Sequence, residues 1–149
     1  MRTLSLTALL LAFLPAHAEE AGFPEGIVQH AVHAADMAWK PCAANLPPGC
    51  QMAVLEGNPA ASGLFTVRFR LADNFALPAH THPKHERVTV LSGRISVAFG
   101  GGAKHEDATQ FGPGDFYINA RGAVHSVWVD EAVELQITGY GPWEANVVE

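Results

Sequence analysis

The 149-residue sequence predicts an all-β fold, a sandwich or barrel of many short strands. Two observations carry this. Apolar and polar residues alternate with period two in several short runs, the pattern of half-buried strands. The runs are separated by turn-forming stretches such as Phe111-Gly112-Pro113-Gly114-Asp115. Residues 19–35 lack that alternation and read as a loose N-terminal arm, with a short helix near 28–37. A short strand follows at 51–55. Residues 64–71 then alternate cleanly, with Phe65, Val67, Phe69 and Leu71 on one face and Thr66, Arg68 and Arg70 on the other. Glu86, Val88 and Val90 share a face, which turns the carboxylate inward beside apolar side chains. Ser92-Gly93 turns the chain, and Ile95, Val97 and Phe99 form the next apolar face. His125 has the parity of Val127 and Val129 and so looks inward. In the last strand Val133, Leu135 and Ile137 alternate with Glu134, Gln136 and Thr138.

His80-Thr81-His82-Pro83-Lys84-His85-Glu86, with His125 farther on, is the densest chemical feature. Three imidazoles and one carboxylate suffice to ligate a first-row divalent metal. In a strand, residues i and i+2 point to one face roughly 6.6 Å apart, so His80 and His82 can converge on one ion. Six residues of straight strand would carry Glu86 roughly 20 Å from His80, whereas metal bonds to nitrogen and oxygen are about 2.0–2.2 Å. The chain must therefore fold back. Pro83, unable to donate to a sheet ladder, sits where the turn is needed, giving a hairpin with His-x-His on one strand and Glu86 at the start of the next. Each residue also has a plainer reading. A His-x-His pair alone is a strand end with two solvated imidazoles, and Glu86 alone is a surface carboxylate beside a turn. An inward, unpartnered Glu is costly to bury, which favours a cation. His85 falls at the turn and outside the ligand pattern. His30, His33 and His105 read as surface residues, and Trp39, Trp128 and Trp143 as core or subunit-contact side chains.

Six residues separate Glu86 from Gly93, completing His-x-His-x3-Glu-x6-Gly, which resembles the first signature of the cupins. Their second signature, Gly-x5-Pro-x-Gly-x2-His-x3-Asn, resembles residues 114–129, with Gly114, Gly122 and His125 in place, Ala120 where Pro is usual and Val129 where Asn is usual. The Gly that opens the first signature is here Asn74, the non-glycine residue most tolerant of positive φ. The resemblance covers about residues 65–143. It implies a small single-domain metal-binding cupin: a double-stranded β-helix or jelly-roll barrel holding one metal through His80, His82, Glu86 and His125, with a small-molecule ligand or substrate. A homodimer is implied by the resemblance alone.

Composition is compatible with that picture. The chain is 48% hydrophobic and 16% charged, as a folded core requires, and its net charge of −6 argues against a nucleic-acid partner. Arg2 followed by an apolar run over 4–14 and Ala16-His17-Ala18 reads as a signal peptide, 1–18, cleaved before Glu19. The rival is an uncleaved anchor, although the run is short for a bilayer. The expected organisation is one domain over 19–149, in which 19–63 is the arm with the first strands and 64–149 the barrel core. Export to a periplasmic or extracellular space, with no membrane association after cleavage, favours a Cys42–Cys50 disulfide. It would close a short loop and contribute roughly 2–3 kcal/mol, less strain. Two free thiols, or a thiolate ligand, are the alternatives.

A divalent ion with three neutral imidazoles and one carboxylate retains open positions if octahedral, and is closed if tetrahedral zinc. The donor set admits Mn, Zn, Ni, Fe, Co or Cu. A single arginine rather than a twin-Arg pair implies export before folding, and ferrous iron is harder to keep reduced outside the cytoplasm, so Mn, Zn or Ni is favoured. Tyr117, Gln136 and Tyr140 are candidate pocket residues. Two functional classes follow from the resemblance: a metal-dependent enzyme of dioxygenase, oxidase, isomerase or lyase type acting on a small, perhaps anionic, molecule, or a non-catalytic binding or sensing module.

Overall fold

The computed structural model describes residues 25–148. The expected signal peptide and the first residues of the arm lie outside them. Among the described residues no helix is long and apolar enough to cross a membrane. The elements are strands β1 (Lys40–Pro41), β2 (Cys50–Glu56), β3 (Gly63–Leu71), β4 (Ala76–Thr81), β5 (Glu86–Phe99), β6 (Thr109–Phe111), β7 (Phe116–Asn119), β8 (His125–Gly141) and β9 (Asn146–Val147), with single 3₁₀ turns at Ala34–Asp36 and His105–Asp107. The expected helix near 28–37 is only the first of these turns.

All strand pairs are antiparallel, and β8 organises the sheet. Its second half pairs with β3, from Leu71↔Val133 to Gly63↔Gly141, and its first half pairs with β4 at His80↔His125. Along its other edge runs β5, from Phe99↔His125 to Arg87↔Thr138. Strands β6 and β7 add to the far edge of β5, while β9 adds to β4. One strand shared along its whole length curls the sheet into the half-barrel of a jelly roll.

The alternation read from the sequence is the core. Phe65, Val67, Phe69 and Leu71 of β3 are buried against Val88, Val90 and Ile95 of β5 and Val129, Val133, Leu135 and Ile137 of β8. Fully burying such a side chain contributes about 1.5–3 kcal/mol, so these three strands carry much of the stabilising term.

Three expectations are corrected. His-x-His and Glu86 do not lie on a hairpin: β4 and β5 are not paired with each other but each with β8, and the intervening residues cross from one part of the barrel to another. Ser92-Gly93 does not end a strand either. β5 runs on through it with register shifts between Val90 and Ile95, and irregular pairing bends a strand without terminating it. Gly93 sits at φ 73° where a Cβ would run into the carbonyl of Ala132. Lastly Phe99 is 59% exposed, because β5 leaves the core at that end. Asn74, in the place of the signature glycine, adopts φ 62°.

Candidate metal centre

Three strands and a crossing loop build the site. His80 stands near the end of β4 and His125 opens β8 directly opposite it in register. His82 follows β4, and Glu86 opens β5. All four are buried: His80 and His125 are 1% exposed, His82 3% and Glu86 6%. The chelating atoms of His80, His82 and His125 lie within 4.8 Å of one another. The Glu86 carboxylate stands beside this group, with Oε2 3.4 Å from His82 Nε2 and 3.9 Å from His125 Nε2.

Each imidazole is held in one tautomer. Nδ1 of His80 is 2.8 Å from the carbonyl of Pro78, Nδ1 of His82 is 2.8 Å from that of Glu144, and Nδ1 of His125 is 3.0 Å from that of Ala123. A carbonyl can only accept, so each Nδ1 carries the proton and each neutral ring keeps its lone pair on Nε2. Burial, with His125 and His82 nearby, holds His80 down at about 3. Burial also holds His125 below the ordinary histidine value, against the carbonyl of Ala123 and the Glu86 carboxylate, which act in the opposite direction. Both rings are therefore neutral at physiological pH.

These residues fit a metal. Buried polar atoms are nearly always paired, yet among the described residues His82 Nε2 is buried with no hydrogen-bond partner. Three rings with Nδ1 turned to carbonyls and Nε2 turned toward one another, beside a buried carboxylate, form a donor set that a divalent cation would satisfy.

Asn119, which the sequence reading missed, completes the inner side. It is 2% exposed at the end of β7, paired in register with Glu86. Its Nδ2 donates to Glu86 Oε2 at 2.9 Å and lies 3.1 Å from His125 Nε2. Trp143, read as core or subunit contact, packs against the core and also stacks on His82 with ring centroids 4.9 Å apart and planes 12° from parallel. It also packs on Phe65 and Phe69, and its indole Nε1 is buried without a partner.

A cavity of about 60 Å³, measured as space for the centres of water-sized molecules, adjoins the histidines. That is several times the 10–15 Å³ or so that one water needs by the same measure. Its walls are mainly apolar, with Glu86, Tyr117 and Trp143 as further polar-bearing side chains and, among the described residues, no Lys or Arg. Burial, and secondarily the Glu86 carboxylate, push the Tyr117 phenol up, so it stays protonated. Gln136 and Tyr140 do not line this cavity. Gln136 Oε1 accepts from Arg68 Nε at 3.2 Å on the outward face, and Tyr140 is 54% exposed. Both have the parity opposite to buried Leu135 and Ile137.

His85 is exposed and its Nδ1 accepts the Arg121 backbone N–H at 3.0 Å. His105 is more than a bare surface residue: it stacks on Trp128, and its Nε2 is 2.7 Å from Asp130 Oδ1. Cys42 and Cys50 are joined in a disulfide with Cα atoms 5.4 Å apart, and the loop they close delivers Leu46 to the cavity wall.

The ChrR cupin-like domain matches residues 28–144, most of the chain. The protein belongs to this cupin family. None of the curated proteins compared with this cupin matches it significantly. Among solved structures it is similar to the polyketide cyclase RemF from Streptomyces resistomycificus (17% identity, TM-score 0.67, covering 81% of this chain and 86% of that one). It is also similar to an acetylacetone dioxygenase from Acinetobacter johnsonii (17%, 0.63, 83% and 82%) and to an RmlC-like cupin from Shewanella frigidimarina (15%, 0.60, 75% and 90%). At such identities the likeness concerns the barrel.

Proposed function

We propose that this cupin binds one divalent metal through Nε2 of His80, His82 and His125 together with Glu86, and uses it as a metal-dependent enzyme on a small molecule. The observation that carries the reading is the set of three Nδ1–H···carbonyl bonds, which turn three lone pairs inward in a buried pocket beside a carboxylate. The bound ion would supply Lewis-acid polarisation or activation of a ligand. The chain's own residues do the rest. Apolar walls exclude water, Asn119 orients Glu86, and Tyr117 keeps a phenolic proton facing the cavity. Two structural neighbours, a polyketide cyclase and a dioxygenase by name, illustrate that this barrel hosts small-molecule chemistry.

A second reading, non-catalytic binding or sensing, is favoured by one observation: among the described residues Glu86 is the sole carboxylate lining the cavity, and the Tyr117 phenol stays protonated. Turnover of candidate chelating substrates by the metal-loaded protein, against binding without turnover, separates the two.

The ligand assignment is tested by substitution. His80→Ala or His125→Ala abolishes metal binding in equilibrium dialysis, whereas His85→Ala leaves it nearly intact; equal loss in all three overturns the assignment. Export, supported by the disulfide and the signal-like N-terminus, favours Mn, Zn or Ni over Fe, Co and Cu, and stoichiometric iron in exported protein overturns that preference. The homodimer is proposed from family membership and is read by sedimentation.

A further inference from the structure

The three histidines are not held alike. His80 and His125 donate to carbonyls two residues back, Pro78 and Ala123, so their own strands aim them. His82 donates to the carbonyl of Glu144, 62 positions away in sequence. The same segment lays Trp143 flat on the His82 ring. It is tied on both sides: the Trp143 N–H donates to the Pro59 carbonyl at 2.7 Å and the Val148 N–H to the Ala79 carbonyl at 2.8 Å, with β9 paired to β4 between them.

We propose that residues 142–148 form a strap that sets the tautomer and direction of His82, and that fastening the strap controls how firmly the site retains its metal. This rests on the metal-site reading above. Among the described residues His82 Nε2 is buried with no hydrogen-bond partner, and the nearby Glu86 Oε2, at 3.4 Å, would draw the ring proton to Nε2 if Nδ1 lost its acceptor. The hydrogen bond to its Nδ1 and its one parallel stack both come from the strap, while its contacts with the His80 and His125 rings are edge-on or tilted. Without the Glu144 carbonyl the ring proton is free to move to Nε2, the tautomer that offers no lone pair there. His80 and His125 keep their local carbonyls whether or not the strap is fastened. Trp143 and Glu144 are thus positioning residues acting through His82.

The test releases the strap from a distance. Val148→Pro removes the N–H given to Ala79 at an exposed position outside the cavity. Imidazole 15N NMR of the metal-free protein is expected to show His82 alone losing its Nδ1–H form, with His80 and His125 unchanged. Zinc and manganese, measured by chelator competition, are expected to bind about 10-fold or more weakly, the usual effect of losing the hydrogen bond behind a ligating histidine. In a His82→Ala background Val148→Pro should cost nothing further. Should Val148→Pro fail to fold, Trp143→Ala reads the same three quantities by removing the stack. An unchanged His82 tautomer, or the same loss of zinc affinity with and without His82, overturns the strap. Failure of the native sequence to bind either metal while the tautomer still shifts overturns the metal reading, and with it the strap's role in retention.

Discussion

Replacing Asn119 by Leu separates the metal-free and metal-bound forms of the protein. In the structure the Asn119 amide gives the buried Glu86 carboxylate a hydrogen bond at 2.9 Å and approaches His125 Nε2 at 3.1 Å. Hydrogen bonds to charged groups contribute about 1.5–3 kcal/mol, and Leu has the same number and branching of side-chain heavy atoms as Asn, so the packing change is small beside the polar loss. The metal-free form should therefore lose about 2 kcal/mol of unfolding free energy. The metal-bound form should lose less, because a cation then compensates Glu86 and takes the His125 lone pair that Asn119 otherwise approaches. The assay is urea denaturation in chelator and in saturating zinc, with identical slopes required for both proteins. The stabilisation conferred by zinc should be greater in Asn119→Leu than in the native sequence. Equal losses in both forms would refute the reasoning, since Asn119 would then serve the barrel and not the metal-free pocket.

Lowering the pH should destabilise the metal-free protein. The ordinary histidine value of 6.5 applies to the unfolded chain and about 3 to folded His80, so the unfolded state takes up the proton first. The stabilisation is complete above pH 6.5 and is lost as pH falls toward 3, by up to about 1.4 kcal/mol per pH unit from this group. Urea midpoints that stay flat between pH 7 and 5 would contradict it. Gly93→Ala should cost more than about 1 kcal/mol, the scale of a residue forced into a sparsely populated backbone region, because φ is 73° and the new Cβ meets the Ala132 carbonyl; a neutral thermal shift would contradict it. Replacing Cys42 and Cys50 together by Ser should lower stability by about 2–3 kcal/mol in denaturant titration, and no change would mean the closed loop restrains little of the unfolded chain.

Much of this was legible in the sequence, and the failures have physical causes. Period-two alternation located the buried face of β3 and the later half of β8, because one face of each strand meets the core. The same parity would have excluded Gln136 and Tyr140 from the cavity had it been applied to them, since buried Leu135 and Ile137 occupy the other face. It would also have found Asn119, which shares the inward parity of Tyr117 on β7. The hairpin drawn between His82 and Glu86 failed for another reason. Spacing shows that a chain must turn, but strand partners are chosen by long-range pairing, here with β8. Phe99 misled because alternation says nothing about where a strand leaves the core. Trp143 was legible as a core side chain, but its stack on His82 was not, since the two lie far apart along the chain.

The ring nitrogens, the carboxylate and the carbonyl that mounts His82 extend from residue 80 to residue 144, and they meet only after β8 has paired along both its edges. A chain not yet folded presents little more than a His-x-His pair, a poor chelator. Closing such distant contacts is among the slow steps of folding. An ion bound at this site would therefore be selected where folding finishes, from whatever that compartment supplies.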